Sequence, residues 1–290
     1  MKLIKQSFQF VNQKGFTLRD IYKHIEYCAR ISYKSQDKIT DTSYEKFVNM
    51  LESRGHNRPL EFGTVHLKMS TAQFKCLQTL LLMNKVYNDY WIKYNIIDTE
   101  DNCYITTNYR YYMELCRYDR GISEYLDFSD SPFYPKRYTI HMILDRGVMD
   151  EFRTHVGLSH LAESTRYVNY SKKKFGSELT FIKPCWLDDE KLKLYGPYHT
   201  VIRDKSPESI FIANLNNVER DYLDLIKLGW TPQQARSVLP LSIKSELISC
   251  GFKDSWENFF YRRDAPDAHP MAQEIAKPMH QKFIELTEMK

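Results

Sequence analysis

The chain has 290 residues and lacks the sequence features of several common protein classes. Its six cysteines show no Cys-x-x-Cys pair and no regular spacing, so we expect reduced thiols, as in a cytosolic protein. No apolar run approaches the length that crosses a membrane, and the first seven residues lack the apolar stretch of a signal peptide. These absences predict a soluble, cytoplasmic protein.

Several catalytic and cofactor signatures are also absent. The sequence has no GxGxxG after a strand, no GxxxxGK[ST], no HExxH and no GxSxG. His24-Ile25-Glu26 matches half of a zinc deaminase signature, but the Pro-Cys-x-x-Cys half does not follow. His155 and His160 lie five residues apart, a poor spacing for two ligands on one helical face. We therefore expect no metal site.

Charge of one sign is not in excess, whereas aromatic residues are abundant. The formal net charge of +4 is too small and too mixed to indicate a nucleic-acid binder. We interpret the one dense basic run, Lys172-Lys173-Lys174, as a solvated loop. The 21 Tyr and 16 Phe favour aromatic packing in the core and at subunit contacts, because a tyrosine ring buries while its hydroxyl stays hydrogen-bonded.

Helical and strand patterns are mixed along the chain rather than alternating. Thr17 is a predicted cap for a helix with apolar residues three and four apart, and Val65, Leu67 and Met69 alternate as in a half-buried strand. We predict one α+β domain over residues 1–290, with helices around an antiparallel sheet and insertions at about 119–135 and 169–206. Further predicted helices cover 43–54, 71–84, 106–116, 148–155 and 206–229. Three more are a helix from 231 that carries Arg236, one capped by Asp254 and Glu257, and one from 269 interrupted at Pro278. A further strand covers 138–144, and 179–182 is a short apolar segment after a polar loop.

Three segments carry polar groups suited to an anionic ligand. The first is 54–61, the second runs from 146 to 155 and through 163–167, and the third is 235–240, followed by 256–263 and 268–270. In the second, Ser164, Arg166 and Tyr167 place a hydroxyl, a guanidinium and a phenol close together, which suits an oxyanion. For any single arginine in these segments, a surface ion pair is the alternative interpretation.

Together the three segments resemble the flavin-dependent thymidylate synthases in order, spacing and local sequence, over roughly residues 18–285. The resemblance implies the α+β fold of that family and a homotetramer with sites shared between subunits. It implies FAD as the cofactor, with NADPH and methylenetetrahydrofolate as co-substrates. The implied reaction is reductive methylation at C5 of dUMP to give dTMP.

The family's nucleotide-binding pattern falls on Ser164, Arg166, Arg236 and Arg263, and we place Glu151 in the same substrate-binding set. Arg166 and Arg236 suit the phosphate or ribose side of the substrate. Arg263 matches the arginine near the pyrimidine, where a cation favours negative charge developing on the ring. Arg263 and Ser164 are the predicted catalytic residues, although no base is evident to activate Ser164, which favours a binding role.

The family's flavin-binding pattern is met by residues of all three segments. The family's Gly-His-x-x-Pro-x-Glu motif is intact in the first segment. In this family the flavin takes hydride from the nicotinamide and then relays the one-carbon unit, while the protein positions and polarises. The resemblance assigns cofactor binding to His56, Arg58, Glu61, Arg153, His155 and Asn258.

The chain departs from the family at the usual Arg-His-Arg triplet, which here reads Thr154-His155-Val156. Arg153 is one position early, a rotation of about 100° on a helix, and its length allows it to reach the same phosphate. Phe252 and Asp254 stand where the family often contacts flavin, and Asp254 would repel a diphosphate unless it faces elsewhere. The alternative functions are therefore another pyrimidine-nucleotide C5-modifying enzyme, or a non-catalytic nucleotide-binding protein with a degraded flavin site.

Overall fold

The computed structural model describes residues 1–166, 168–172, 176–193 and 206–288. Tyr167 of the predicted oxyanion segment, and Lys173 and Lys174 of the basic run, lie outside the described residues. The strands are β1 Lys2–Ile4, β2 Ser7–Phe10, β3 Thr64–Ser70, β4 Ile92–Ile97, β5 Asn102–Asn108, β6 Arg137–Asp145, β7 Ser159–Ala162, β8 Thr180–Ile182 and β9 Lys244–Phe252. The helices are α1 Leu18–Tyr33, α2 Ser43–Ser53, α3 Thr71–Met83, α4 Tyr109–Tyr118, α5 Arg146–Phe152, α6 Asp189–Lys193, α7 Pro207–Lys227, α8 Pro232–Ala235, α9 Lys253–Arg263 and α10 Pro270–Glu288.

The main sheet is antiparallel, with the strand order β2-β6-β9-β7. Strand β9 pairs with β6 along nine residues and with β7 on its other side. One face packs on α5, α9 and α10 through buried side chains such as Trp256 and Phe260, and the other packs on α1 through Cys28 and Ile31. Because β6 and β9 are antiparallel, α5 and α9 leave the sheet at opposite ends and pack on the same face. The end of α9 thereby reaches α5, where Arg263 pairs with Glu151.

A second antiparallel sheet has the order β3-β5-β4, and β1 and β8 form a parallel pair. The second sheet shares a core with α1, α2, α3 and α4. It meets the main sheet at Arg137, whose Nη2 donates to Glu61 O at 2.7 Å and whose Nη1 donates to Gly63 O at 3.1 Å. The predicted α+β fold with antiparallel sheet is thus confirmed, although the antiparallel strands form two sheets rather than one.

Most of the helices predicted from capping and periodicity are confirmed, including α1, α2, α3 and α7. Thr17 closes a capping box with Asp20 at the start of α1, as its position predicted. The helix predicted for 106–116 begins three residues too early. Residues 106–108 are the end of β5. Asn108 accepts a hydrogen bond from Tyr111 N and is the N-cap of α4, so the helix begins at Tyr109.

Other predicted boundaries are also corrected. Asp254 does not cap α9, since β9 runs directly into that helix and Phe252 occupies the cap position. Pro278 lies inside α10 and does not interrupt it. Helix α8 ends at Ala235, so Arg236 opens a 3₁₀ turn instead of lying within the helix. Strand β3 is buried over most of its length on both faces, not on one.

Among the described residues, no helix combines the length and apolar character needed to span a bilayer. The single-domain boundaries and the two insertions stay predictions.

Candidate active site

The short strand β7 links three groups of the predicted site residues. The turn 154–157 precedes it, and Glu163 and Ser164 follow it. In its first residue, Ser159 Oγ donates to Glu61 Oε2 at 2.6 Å, which ties the strand to the first sequence segment. The groups therefore lie before, beside and after one strand, whose position is fixed by its pairing with β9.

The first group centres on Arg263 at the end of α9. Its Nε donates to His155 Nε2 at 2.9 Å, and its Nη1 donates to Glu151 Oε2 at 2.8 Å. Its Nη2 donates to Glu151 O at 2.8 Å and to Thr154 Oγ1 at 3.2 Å. The structure thus brings together three residues that the sequence assigned to substrate or cofactor, and these contacts use four of the five N–H groups of the guanidinium.

His155 is a neutral hydrogen-bond acceptor in this group. Burial, followed by the positive charges of Arg263 and Arg262, lowers the pKa of His155 to about 4. A neutral ring whose Nε2 accepts from Arg263 carries its proton on Nδ1. Behind it, His160 Nε2 donates to His155 O at 3.1 Å, and His160 Nδ1 lies 2.8 Å from Ser249 Oγ. The arginine is therefore held by an imidazole that is itself fixed to the main sheet.

A cavity of about 610 Å³ opens beside this group, and we call it the α9 cavity. Asn258 lines it together with His155, so these two predicted flavin residues share one site. Ser255 Oγ is buried in its wall and has no hydrogen-bond partner among the residues that the structure describes. Gly157 lets Ser255 and Tyr90 pack closely against the backbone, since a Cβ there would lie 2.7 Å from Ser255 Oγ and 3.1 Å from Tyr90 Cδ1. The cavity thus offers an orphaned polar atom in a tightly packed wall.

The second group surrounds Glu61, whose side chain is 0% exposed. Besides Ser159, its carboxylate binds Arg110 Nη1 at 2.8 Å and Arg58 Nη1 at 3.2 Å. His56, Arg58 and Arg110 line a second cavity of about 650 Å³. In this structure Glu61 therefore orients two guanidinium groups at the cavity wall, and its predicted direct role in cofactor binding stays a prediction.

Arg110 was not found from the sequence, because it belongs to no recognisable motif. It lies on α4, its guanidinium stacks on Trp91 with 4.9 Å to the ring centroid, and its Nε donates to Glu114 at 3.1 Å. Only the packing of α4 against the Pro59–Phe62 turn brings it to Glu61.

The third group contains the three residues predicted for the nucleotide phosphate. Arg236 Nη1 donates to Thr165 Oγ1 at 3.4 Å, and Arg166 N donates to Ser164 Oγ at 3.4 Å. Both arginines are exposed at the surface. The short turn after β7 and the 3₁₀ turn after α8 therefore meet at Thr165, between Ser164 and Arg166. The role of these residues in nucleotide binding stays a prediction.

A buried charge network supports this third group from below. Lys244 Nζ donates to Glu163 Oε2 at 2.9 Å and to Glu246 Oε1 at 2.5 Å, and Lys34 also pairs with Glu246. His141 Nε2 lies 3.0 Å from Glu246 Oε2. Burial alone would raise the pKa of Glu246, but His141, Lys244 and Lys34 together hold it well below its usual range. The backbone that carries Ser164 is thus anchored through Glu163.

Not every predicted residue joins a group. Arg153 lies just after α5, is 45% exposed and pairs with Asp150 at 3.6 Å. Val156 is 81% exposed, where the family triplet has a cation. Neither of the two cavities that Arg263 lines has Ser164, Arg166 or Arg236 in its lining, so the third group lies outside both.

Residues 124–287 match the sequence model of the thymidylate synthase complementing proteins, Thy1. The chain belongs to this family, that of the flavin-dependent thymidylate synthases. The matched region contains the second and third sequence segments, whereas the first segment and Arg110 precede it.

Other comparisons add little. No curated protein matches the chain. Two solved structures of the UMP/dUMP methylase PolB from Streptomyces cacaoi, one bound with 5-Br dUMP and one with 5-Br UMP, are similar over 99% of this chain and over 93% and 92% of theirs. Each is 15% identical and superposes with a TM-score of 0.43. The family assignment rests on the sequence match.

Proposed function

We propose that this protein is a flavin-dependent thymidylate synthase that methylates C5 of dUMP to give dTMP. The proposed cofactor is FAD, and the proposed co-substrates are NADPH and methylenetetrahydrofolate. The observation that carries the proposal is the family match, which covers both halves of the nucleotide pattern, Ser164 with Arg166 and Arg236 with Arg263.

The third group suits a nucleoside monophosphate. Arg236 contacts Thr165, which lies between Ser164 and the exposed Arg166, and arginine forks bind phosphate oxygens in pairs. Lys244 and Lys34 neutralise the carboxylates of Glu163 and Glu246 beneath them, so the surface that meets the phosphate keeps its positive charge.

The α9 cavity suits the flavin. His155 and Asn258 supply polar groups, Ser255 Oγ is a buried atom without a partner in the described chain, and Tyr90 supplies a half-exposed aromatic ring. When bound, FAD would supply hydride transfer and the relay of the one-carbon unit. The second cavity, with Arg58, Arg110 and His56, is suited to an anionic part of a cofactor.

Arg263 is proposed to act on the pyrimidine. Its guanidinium stays charged throughout the pH range of proteins, and neutral His155 holds it without competing for the charge. A fixed cation near the ring stabilises the negative charge that develops there when C5 becomes nucleophilic. A homotetramer with sites shared between subunits would join the Arg263 group of one chain to the phosphate group of another.

The direct test compares turnover of dUMP by the wild type and by single-site variants, with dTMP measured by mass spectrometry. Arg263→Ala is expected to abolish methylation, and Arg166→Ala is expected to weaken dUMP binding. Arg220→Ala is the matched control, because Arg220 is an exposed arginine on α7 that pairs with Asp221. Turnover retained by the Arg263→Ala variant would refute the assigned role.

A second candidate is C5 modification of a different pyrimidine nucleotide. The observation that favours it is the altered triplet, in which Thr154 Oγ1 accepts from Arg263 and Val156 points an apolar side chain to solvent. Parallel assays of dUMP, UMP and dCMP with folate and NADPH separate the two. A non-catalytic protein would instead bind nucleotide and remain colourless after incubation with FAD.

A further inference from the structure

Two residues from outside the matched region bear on the α9 cavity: Tyr90 lines it, and Lys93 pairs with Asp254 of its lining. Tyr90 lies in the loop before β4, and Lys93 lies on β4, which is an edge strand of the second sheet. Both precede residue 124, where the family match begins. The loop that leads into β4 therefore contributes to a cavity whose other walls come from α9 and from the turn before β7.

Tyr90 gives the cavity an aromatic face. Its side chain lines the cavity, is 51% exposed, and lies so close to Gly157 that a Cβ there would be 3.1 Å from its ring. Tyr90 therefore packs against Gly157 and leaves about half of its side chain exposed beside the cavity. An exposed aromatic ring favours a planar heterocycle, because it stacks on flat π-systems without a specific hydrogen bond.

Lys93 changes the charge of the same cavity. Its Nζ lies 2.8 Å from Oδ2 of Asp254, which lines the cavity in the first turn of α9. An unpaired carboxylate there would repel a diphosphate. The other charged side chains that line the cavity are Arg262 and Arg263, and Arg263 is itself paired with Glu151. Lys93 is therefore the counter-charge of the one carboxylate that the described residues place in the lining.

We propose that Tyr90 and Lys93 determine the ligand specificity of the α9 cavity, Tyr90 by stacking on the flavin ring and Lys93 by neutralising Asp254 towards an anionic dinucleotide. This inference rests on the proposed function, since it takes FAD as the ligand. It assigns both residues to ligand binding and neither to the chemical step.

The test measures dissociation constants of FAD and of riboflavin by quenching of flavin fluorescence at low salt, without turnover. Tyr90→Ala is expected to weaken binding of both flavins about 10-fold, whereas Tyr90→Phe, which keeps the ring, stays within about twofold of the wild type. Lys93→Met is expected to weaken the binding of FAD about fivefold and to leave the affinity for riboflavin unchanged, because riboflavin has no phosphate. The double variant Lys93→Met/Asp254→Asn is expected to recover most of the FAD affinity.

A structural role for the ion pair would give a different pattern. If Lys93→Met weakens the binding of FAD and of riboflavin equally, the charge role of Lys93 is overturned. If Tyr90→Ala binds both flavins as the wild type does, the stacking role of Tyr90 is overturned. In both cases the proposed function stands. Asp254→Asn alone keeps Lys93 and is expected to bind FAD at least as tightly as the wild type, so a loss of FAD affinity in it also overturns the inference. A wild-type protein that binds neither flavin overturns the proposed function and this inference together.

Discussion

Acidification should weaken the fold through His155, because its environment favours the neutral ring. The pKa of His155 is lowered to about 4 in the folded protein, from an ordinary value of 6.5. A lowered folded pKa means that stability is fully present above the unfolded pKa and is lost as the pH falls towards the folded one. At about pH 5 the unfolded ring is mostly protonated and the folded ring is not, which costs about 2 kcal/mol relative to about pH 7.

The variant His155→Gln isolates this effect. Glutamine keeps a side-chain acceptor for Arg263 but does not titrate. We expect its free energy of unfolding in urea, followed by tryptophan fluorescence, to fall between about pH 7 and about pH 5 by about 2 kcal/mol less than that of the wild type. Other buried histidines keep their own pH dependence in both proteins, so the difference between the two is the quantity that matters. Equal losses in the two proteins would refute the reasoning.

Three substitutions test other parts of the site. Gly157→Ala would place a Cβ 2.7 Å from Ser255 Oγ and 3.1 Å from the Tyr90 ring, so we expect a loss of about 1–3 kcal/mol in unfolding free energy and weaker flavin binding. Unchanged flavin affinity would contradict the role of this cavity wall. Glu61→Gln removes the buried counter-charge of Arg110, so calorimetry should show that the free energy of unfolding falls by about 3 kcal/mol. A fall below about 1 kcal/mol would contradict the importance of this ion pair. Lys244→Met leaves two buried carboxylates with one cation fewer, so stability and dUMP affinity should both fall; unchanged dUMP affinity would show that the network does not position the phosphate group.

Local signals in the sequence predicted the elements that depend on local chemistry. The capping box at Thr17 and the Ser206 cap followed by Pro207 fix helix starts through hydrogen bonds within a few residues. Strand β6 alternates clearly enough to be recognised. Strand β9 was not predicted, because it is buried on both faces and includes serine, cysteine and glycine, so it has neither alternation nor a run of β-branched residues.

The candidate site divides in the same way. The amino-acid sequence alone indicates the residues that lie in short local motifs, namely Ser164, Arg166, Arg236 and Arg263. The ion pair of Lys244 with Glu163 joins residues 81 positions apart, and it exists only because β9 pairs with β7 in one register. Such contacts follow from tertiary packing and carry no local signal.

The same limit applies to the second sheet. Arg110, Tyr90 and Lys93 lie in no motif, and each reaches the site only because α4 and β4 pack beside the Glu61 turn and α9. The sequence alone predicts that the carboxylate of Asp254 repels a diphosphate. In the structure Lys93 pairs with this carboxylate and offsets its negative charge.

The most direct test of the proposed function is the mass of the nucleotide after dUMP is incubated with the protein, FAD, NADPH and methylenetetrahydrofolate. We expect a product heavier than dUMP by one CH₂ group, formed only when all four components and the protein are present. Unchanged dUMP in the complete mixture, with protein that retains oxidised flavin bleached by NADPH, would contradict dUMP methylation.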